Sequence, residues 1–286
     1  MNIKENMKPL FSTAAASLCL VCATGEVAQA GTLYKEWNYA IDSFNDGYNR
    51  GVVGGKYEFH GMAVQEDADN VYIAFNSNLH LDGWTHSTAS DQHIGWGDLF
   101  FNFSGDDFLT AQANGDLFGI RFAENSDSQV DLGVYSGVTA RSITGENAGF
   151  SDLNQYSYYV NKAGGTSSLG DLAQNDPYFQ QSGHRTILNS MESGTRIGDV
   201  NIIEDVSGLG LDFEHFGATG SQTFAISIDK SLLPAGDFIA HIFAECANDG
   251  MALLGNMKSV PEPGVTIGLV AFGLTLLGSK RRQSLK

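Results

Sequence analysis

The stretch Asn70-Val71-Tyr72-Ile73-Ala74-Phe75-Asn76 decides the fold. In an extended chain successive side chains point to opposite faces, so Val71, Ile73 and Phe75 share one apolar face. The same period recurs in Gln222 to Asp229, with Phe224, Ile226 and Ile228, and in Asp237 to Cys246, with Phe238, Ala240, Ile242 and Ala244. An interval of two residues is the signature of half-buried strands, and no long stretch with the helical interval of 3.6 competes with it. Further strands are expected at Tyr57 to Val64, Leu99 to Phe103, Leu117 to Phe122, Val130 to Tyr135, Val200 to Ile203 and Leu209 to Phe213, separated by Gly, Asn and Asp turns. Many short strands with such punctuation predict an all-β domain, an antiparallel β-sandwich or jelly roll. Residues 141–196 are polar, contain Gly164-Gly165 and Ser167-Ser168, and are expected to form an irregular insertion.

Around these strands the chain is acidic. It carries 16 Lys and Arg against 33 Asp and Glu, a net charge of −17, and residues 31–260 hold ten of the basic and thirty of the acidic side chains. Such a domain repels nucleic acid and anionic lipid, which excludes both as partners of its surface. Divalent cations and basic surfaces remain as charged partners; otherwise the charge serves solubility. Cys19 and Cys22 lie near the N-terminus, so the central domain keeps only Cys246 and forms no internal disulfide. Burial as a small hydrophobe is the expectation for Cys246, with a reactive thiol or an intermolecular bridge as alternatives.

The two ends are apolar for a different reason. Lys4 and Lys8 precede an apolar run from Leu10 to Ala23, followed by Ala28-Gln29-Ala30. That order is the grammar of a signal peptide over residues 1–30, cut after Ala30 by signal peptidase. At the other end Val260-Pro261-Glu262-Pro263-Gly264 leads into the apolar run Val265 to Leu277, then Gly278-Ser279 and the basic cluster Lys280-Arg281-Arg282. At about 1.5 Å per residue a helix over 264–279 spans roughly 24 Å, a minimal transmembrane helix against a hydrocarbon core of about 30 Å. The basic residues beyond it hold that terminus in the cytoplasm, in agreement with an exported domain before it. The expected organisation is therefore a signal peptide at 1–30, an extracellular β-rich domain at 31–258 and a tail at 259–286.

The Pro261-Glu262-Pro263 triplet, the glycine-spotted helix with Gly268 and Gly273, and Lys280, Arg281 and Arg282, in that order at the extreme end, resemble the PEP-CTERM sorting tails recognised by exosortase in Gram-negative bacteria. The resemblance covers about the last 27 residues. It implies an inner-membrane intermediate, cleavage near Pro-Glu-Pro, and release to the cell surface or extracellular matrix, often with exopolysaccharide. A plain C-terminal anchor helix is the alternative, and it also leaves the domain outside.

A second resemblance covers about 40 residues. Glu66 to Phe75 followed by Trp96-Gly97-Asp98-Leu99-Phe100-Phe101-Asn102-Phe103 is similar to the acidic-turn, strand and Gly-Asp-strand pattern of sandwich domains related to xylanase-associated carbohydrate-binding modules. Between these strands lie His80, Asp82, Trp84, His86, Asp91, His93 and Trp96. Exposed indole rings stack on the apolar C–H faces of sugars while carboxylates and imidazoles bond hydroxyls, so Trp84, Trp96, His86 and Asp91 are the candidate glycan platform. The alternative is that both Trp rings fold inward and close one end of the sandwich.

His80, His86 and His93 match no metal-ligand spacing, and unligated loop histidines are the simpler expectation. For Ca²⁺, hard oxygen donors are required; Glu66, Asp67, Asp69, Asp106 and Asp107 offer carboxylates in turns, although no EF-hand loop is complete. Solvated turn residues are the alternative. No Gly-x-Ser-x-Gly, His-Glu-x-x-His, phosphate loop or dinucleotide fingerprint is present. The sequence thus predicts a non-enzymatic surface or matrix protein that binds polysaccharide. A calcium-stabilised structural or adhesive surface protein is the first alternative. A secreted polysaccharide hydrolase is the second, since a glycosidase needs only two suitably separated carboxylates.

Overall fold

The computed structural model describes residues 31–179 and 186–259. The expected signal peptide, the helix 264–279 and the sorting residues Pro261, Glu262, Pro263, Lys280, Arg281 and Arg282 lie outside the described residues.

The described chain is mostly antiparallel sheet. One six-stranded sheet begins as a meander of β1 (Thr32–Tyr34), β2 (Trp37–Ile41), β3 (Phe59–Glu66) and β4 (Asn70–Ser77). The chain then crosses over, carrying a small hairpin of β5 (Trp84–Thr85) and β6 (His93–Ile94), and lays down a second meander: β7 (Leu99–Asn102), β8 (Leu117–Arg121), β9 (Gly133–Arg141) and β10 (Ser190–Gly198). It returns with β11 (Asn201–Ile203) and β12 (Gln222–Asp229), which extend the first sheet beyond β4. It closes with β13 (Gly236–Phe243) and β14 (Gly250–Met257), which extend the second beyond β7. Each sheet is thus a four-stranded meander with a late pair added at one edge.

The alternation read in β4 and β12 has the predicted consequence. Ile73 pairs with Ile226 and Phe75 with Phe224, so the apolar faces run in register. These side chains share one core with Phe101, Ile120, Val134, Phe238, Ala240 and Ile242 of the second sheet, which packs the two sheets against each other.

The opposite faces are not left to solvent, contrary to the half-buried expectation. On the first sheet Ala63, Ala74 and Ala225 lie under Phe213 and Ala218. On the second, Phe100, Leu117 and Tyr135 pack with Phe108 and Ala111 of helix α1 (Phe108–Asn114) and with Tyr178. Alanine and glycine on the outer positions leave room for these covers.

Two other expectations are corrected. Residues 209–213 are not a strand; single 3₁₀ turns at Ser207–Leu209 and Phe213–Phe216 form the cover of the first sheet. Residues 141–196 are not wholly irregular: they contain helix α2 (Leu153–Lys162) and most of β10. β10 escaped notice because Ser-Met-Glu-Ser-Gly-Thr-Arg-Ile-Gly lacks alternation and its pairing with β9 shifts register three times. A polar, bulged strand suits a sheet edge, where it discourages pairing with another chain.

Candidate functional site

Where β2 ends, Asp42 begins a loop that also carries Asp46 and Gly47 and runs to Glu58, the residue before β3. Asp249 closes the turn between β13 and β14. These four acids, far apart in sequence, are at most 5 % exposed and gather at one end of the two sheets. Carboxylate oxygens of Asp42, Asp46 and Asp249 lie within 4.8 Å of one another.

Backbone amides orient the group. Phe59 N–H donates to Asp249 Oδ2 at 2.6 Å and Gly250 N–H to Asp249 Oδ1 at 2.7 Å. Gly170 N–H donates to Asp42 Oδ1 at 2.9 Å, and Ser168 N–H to Asp46 Oδ2 at 2.6 Å. Glu58 accepts from Asp46 N–H at 3.2 Å and Gly47 N–H at 2.7 Å, so both of its oxygens hold the loop. Gly47 is required there: a Cβ would lie 2.4 Å from Glu58 Cα.

The remaining wall is α2. Asp152 caps it by accepting from Gln155 N–H, and Leu153, Tyr156 and Val160 form its buried stripe. That stripe aims the Tyr156 hydroxyl at the acids, where it donates to Asp46 Oδ2 at 2.9 Å and lies 3.3 Å from Asp249 Oδ1. Asp42 Oδ2 and Asp46 Oδ1 are buried with no hydrogen-bond partner among the described residues.

Electrostatics make this arrangement costly. Burial first, and the neighbouring acids second, push the carboxyls of Asp46 and Asp249 far up; burial likewise raises Asp42 and Glu58. Two unit charges 4 Å apart repel by about 4 kcal/mol at an effective dielectric constant of 20. Several such pairs in one pocket must hold protons or face a countercharge.

The residues expected to bind glycan are put to other use. Trp96 is fully buried, stacks on Phe59 with ring centroids 4.5 Å apart, and donates its indole N–H to His80 O at 2.9 Å. It therefore offers no face to a sugar, a correction to its expected role. Trp84 is half-buried, with its indole N–H directed to Lys56 O and Asn78 O at 3.1 and 3.2 Å. His86 lies against Thr88 Oγ1 at 2.9 Å, and Asp91 accepts from His93 N–H. His93 in turn contacts Asp82 O at 2.6 Å and sits 4.0 Å from the buried Glu245.

The acids expected to hold Ca²⁺ likewise serve their own turns. Glu66 pairs with Lys230 at 2.9 Å. Asp67 accepts from the N–H groups of Asp69 and Asn70, which lowers its carboxyl below the usual range. Asp107 caps α1, Asp106 donates its N–H to Ser104 Oγ, and Asp69 is exposed at the β3–β4 turn. Among the described residues, the acids that come within metal-ligating distance of one another are Asp42, Asp46 and Asp249. The Asp-Ser-Phe-Asn-Asp-Gly stretch at Asp42 to Gly47 is a visible signal; Asp249 in Asn248-Asp249-Gly250 is not, because that tripeptide suits an ordinary turn.

No family model, curated protein or solved structure gives a significant match to the chain.

Proposed function

We propose that the chain is an exported, exosortase-sorted protein of the cell surface or extracellular matrix of a Gram-negative bacterium, and that its two-sheet domain, a sandwich or jelly roll, is a non-enzymatic structural module. The observation that carries the structural reading is the inward packing of Trp96. In the segment richest in aromatic and imidazole groups, Trp96 closes one end of the core and has no ring face left to stack on a sugar. The buried free thiol of Cys246 and the absence of any other cysteine after residue 30 leave the domain dependent on packing and polar contacts alone.

Expression in a host with and without exosortase tests the export reading. The expected product is a surface or medium form that begins at Gly31 and ends near Pro261, replaced in the exosortase-deficient host by a membrane-retained form. Intact chain in the cytosol, still carrying residues 1–30, overturns it.

Polysaccharide binding is a second reading, supported by a cavity of about 460 Å³ lined by Asn38, Asn102, Asp237, Phe238, Leu254 and Asn256. Amide and carboxylate groups around an apolar floor suit a sugar. On this reading, retention on a polysaccharide affinity gel is weakened by Asn256→Ala and unaffected by Trp84→Ala; no retention on any gel removes it.

A further inference from the structure

The acidic pocket calls for an occupant. Asp42 Oδ2 and Asp46 Oδ1 have no partner although their residues are at least nine-tenths buried, and unpaired buried carboxylate oxygens are costly. Six backbone N–H groups and Tyr156 Oη satisfy the other six oxygens of the four acids, and none of them donates to these two. The amides thus hold the acids from outside and fix them close together, where mutual repulsion would otherwise drive the loops apart.

We propose that Asp42, Asp46 and Asp249, backed by Glu58, form a site for Ca²⁺ that clamps the 42–58 loop, the connection after α2 and the β13–β14 turn at one end of the two sheets. The donor set decides the ion. It is all carboxylate oxygen, the preference of hard cations, and includes no imidazole or thiolate to favour zinc or copper. Oxygens bound to one calcium ion at about 2.4 Å each lie no more than about 4.8 Å apart, and the carboxylate oxygens of Asp42, Asp46 and Asp249 meet that condition. Magnesium needs bonds of about 2.0–2.1 Å and retains several waters, which ligands this deeply buried accommodate poorly.

The clamp also explains how α2 is tied to the sheets. Ser168, Gly170 and Tyr156 touch the acids from the α2 segment, while Asp42 and Asp46 come from the loop after β2 and Asp249 from the β13–β14 turn. A cation shared by these acids joins the 42–58 loop to the β13–β14 turn, and through the Ser168 and Gly170 N–H bonds it holds the connection after α2, with no disulfide between them. The inference is independent of how the chain is exported and stands if the sorting reading fails.

Full-length chain, stripped with chelator and titrated with calcium chloride alone, tests it by calorimetry and thermal unfolding. The expected result is one Ca²⁺ per chain and a Tm about 5–10 °C higher at a hundredfold excess over Kd, with a smaller rise for Mg²⁺. Asp46→Asn and Asp249→Asn abolish the rise, and Asp69→Asn at the exposed β3–β4 turn keeps it. No calcium-dependent shift in the parent chain overturns the proposal. So does a Tm raised by Asp46→Asn equally in calcium and in chelator, the mark of acids that merely share protons. Loss of the shift in Asp69→Asn also overturns it by moving the ion to the surface turn.

If the Asp variants do not fold, terbium supplies the decision. Tyrosine-sensitised emission that calcium displaces and that Tyr156→Phe reduces severalfold upholds the site; emission unchanged in Tyr156→Phe overturns it.

Discussion

The β5–β6 loop and the carboxylate cluster occupy the same end of the two sheets, yet they are built in opposite ways. The segment around that loop collects His80, Trp84, His86, Asp91, His93 and Trp96 within one short stretch, and it turns one of its two indoles, Trp96, inward onto Phe59. The cluster draws Asp42, Asp46, Glu58 and Asp249 from separate parts of the chain and leaves two buried carboxylate oxygens without a hydrogen-bond donor. Glu245 lies in the same β13–β14 turn as Asp249, and its carboxyl accepts from Gly95 N–H beside β6 and from Asp127 N–H in the β8–β9 connection, both at 2.6 Å. A dense local run of chemical groups is here a plug, because an indole gains more from a close-packed core than from water. The dispersed acids form the site, because nothing except the fold explains their proximity.

The sharpest way to break this contrast is to remove the plug. Trp96→Ala is expected to cost about 3–5 kcal/mol, a Tm loss of about 10 °C in a domain of this size, since it empties a fully buried site against Phe59, Phe75 and Phe224. Denaturant unfolding measures it. A folded variant of unchanged stability that loses only carbohydrate retention would restore the platform reading.

Next in size is the bridge between the regions. Burial pushes the Glu245 carboxyl up to about 8, above its ordinary value of 4.5. The folded state therefore holds this proton more tightly than the unfolded chain. Its stabilising contribution is full below about pH 4.5, declines as pH rises through 8, and is absent above. Glu245→Gln does not titrate, so its stability relative to the parent should rise by on the order of 3 kcal/mol from pH 4.5 to 8.5. Parallel urea midpoints for the two chains over that range would show that this carboxyl does not titrate in the fold.

The smallest effects should come from groups the sequence made most conspicuous. His86→Ala and Asp69→Asn are expected to change stability by no more than about 0.5 kcal/mol, because one rests only on Thr88 and Tyr57 and the other lies in an exposed turn. A loss above about 2 kcal/mol from either, measured by thermal unfolding, would mean that the loop or the turn holds an unrecognised ligand.

Much of the sheet was legible because a buried strand face imposes an interval of two on the residues themselves. Val71, Ile73 and Phe75, and Phe224, Ile226 and Ile228, meet across one interface as their alternation required. The covers were not legible. Phe213, the last residue of the strand expected at Leu209 to Phe213, instead opens a 3₁₀ turn with Phe216, and β10 has no interval at all. For the cluster, Asp42 to Gly47 showed a concentration of acids, but Asp249 in Asn-Asp-Gly had sufficient local reason to be a turn residue.

Strand positions and the facing of their side chains were properties of the sequence by itself, since they follow from the geometry of an extended backbone over a few residues. The sequence also determined the excess of negative charge and the lack of a cysteine pair in the domain. Which acids meet, which Trp is enclosed and which segments cover the outer faces were decided by tertiary structure alone. Those outcomes depend on contacts such as that of Phe59 with Asp249, 190 positions apart, and burial strips the water that would otherwise screen the carboxylates from one another.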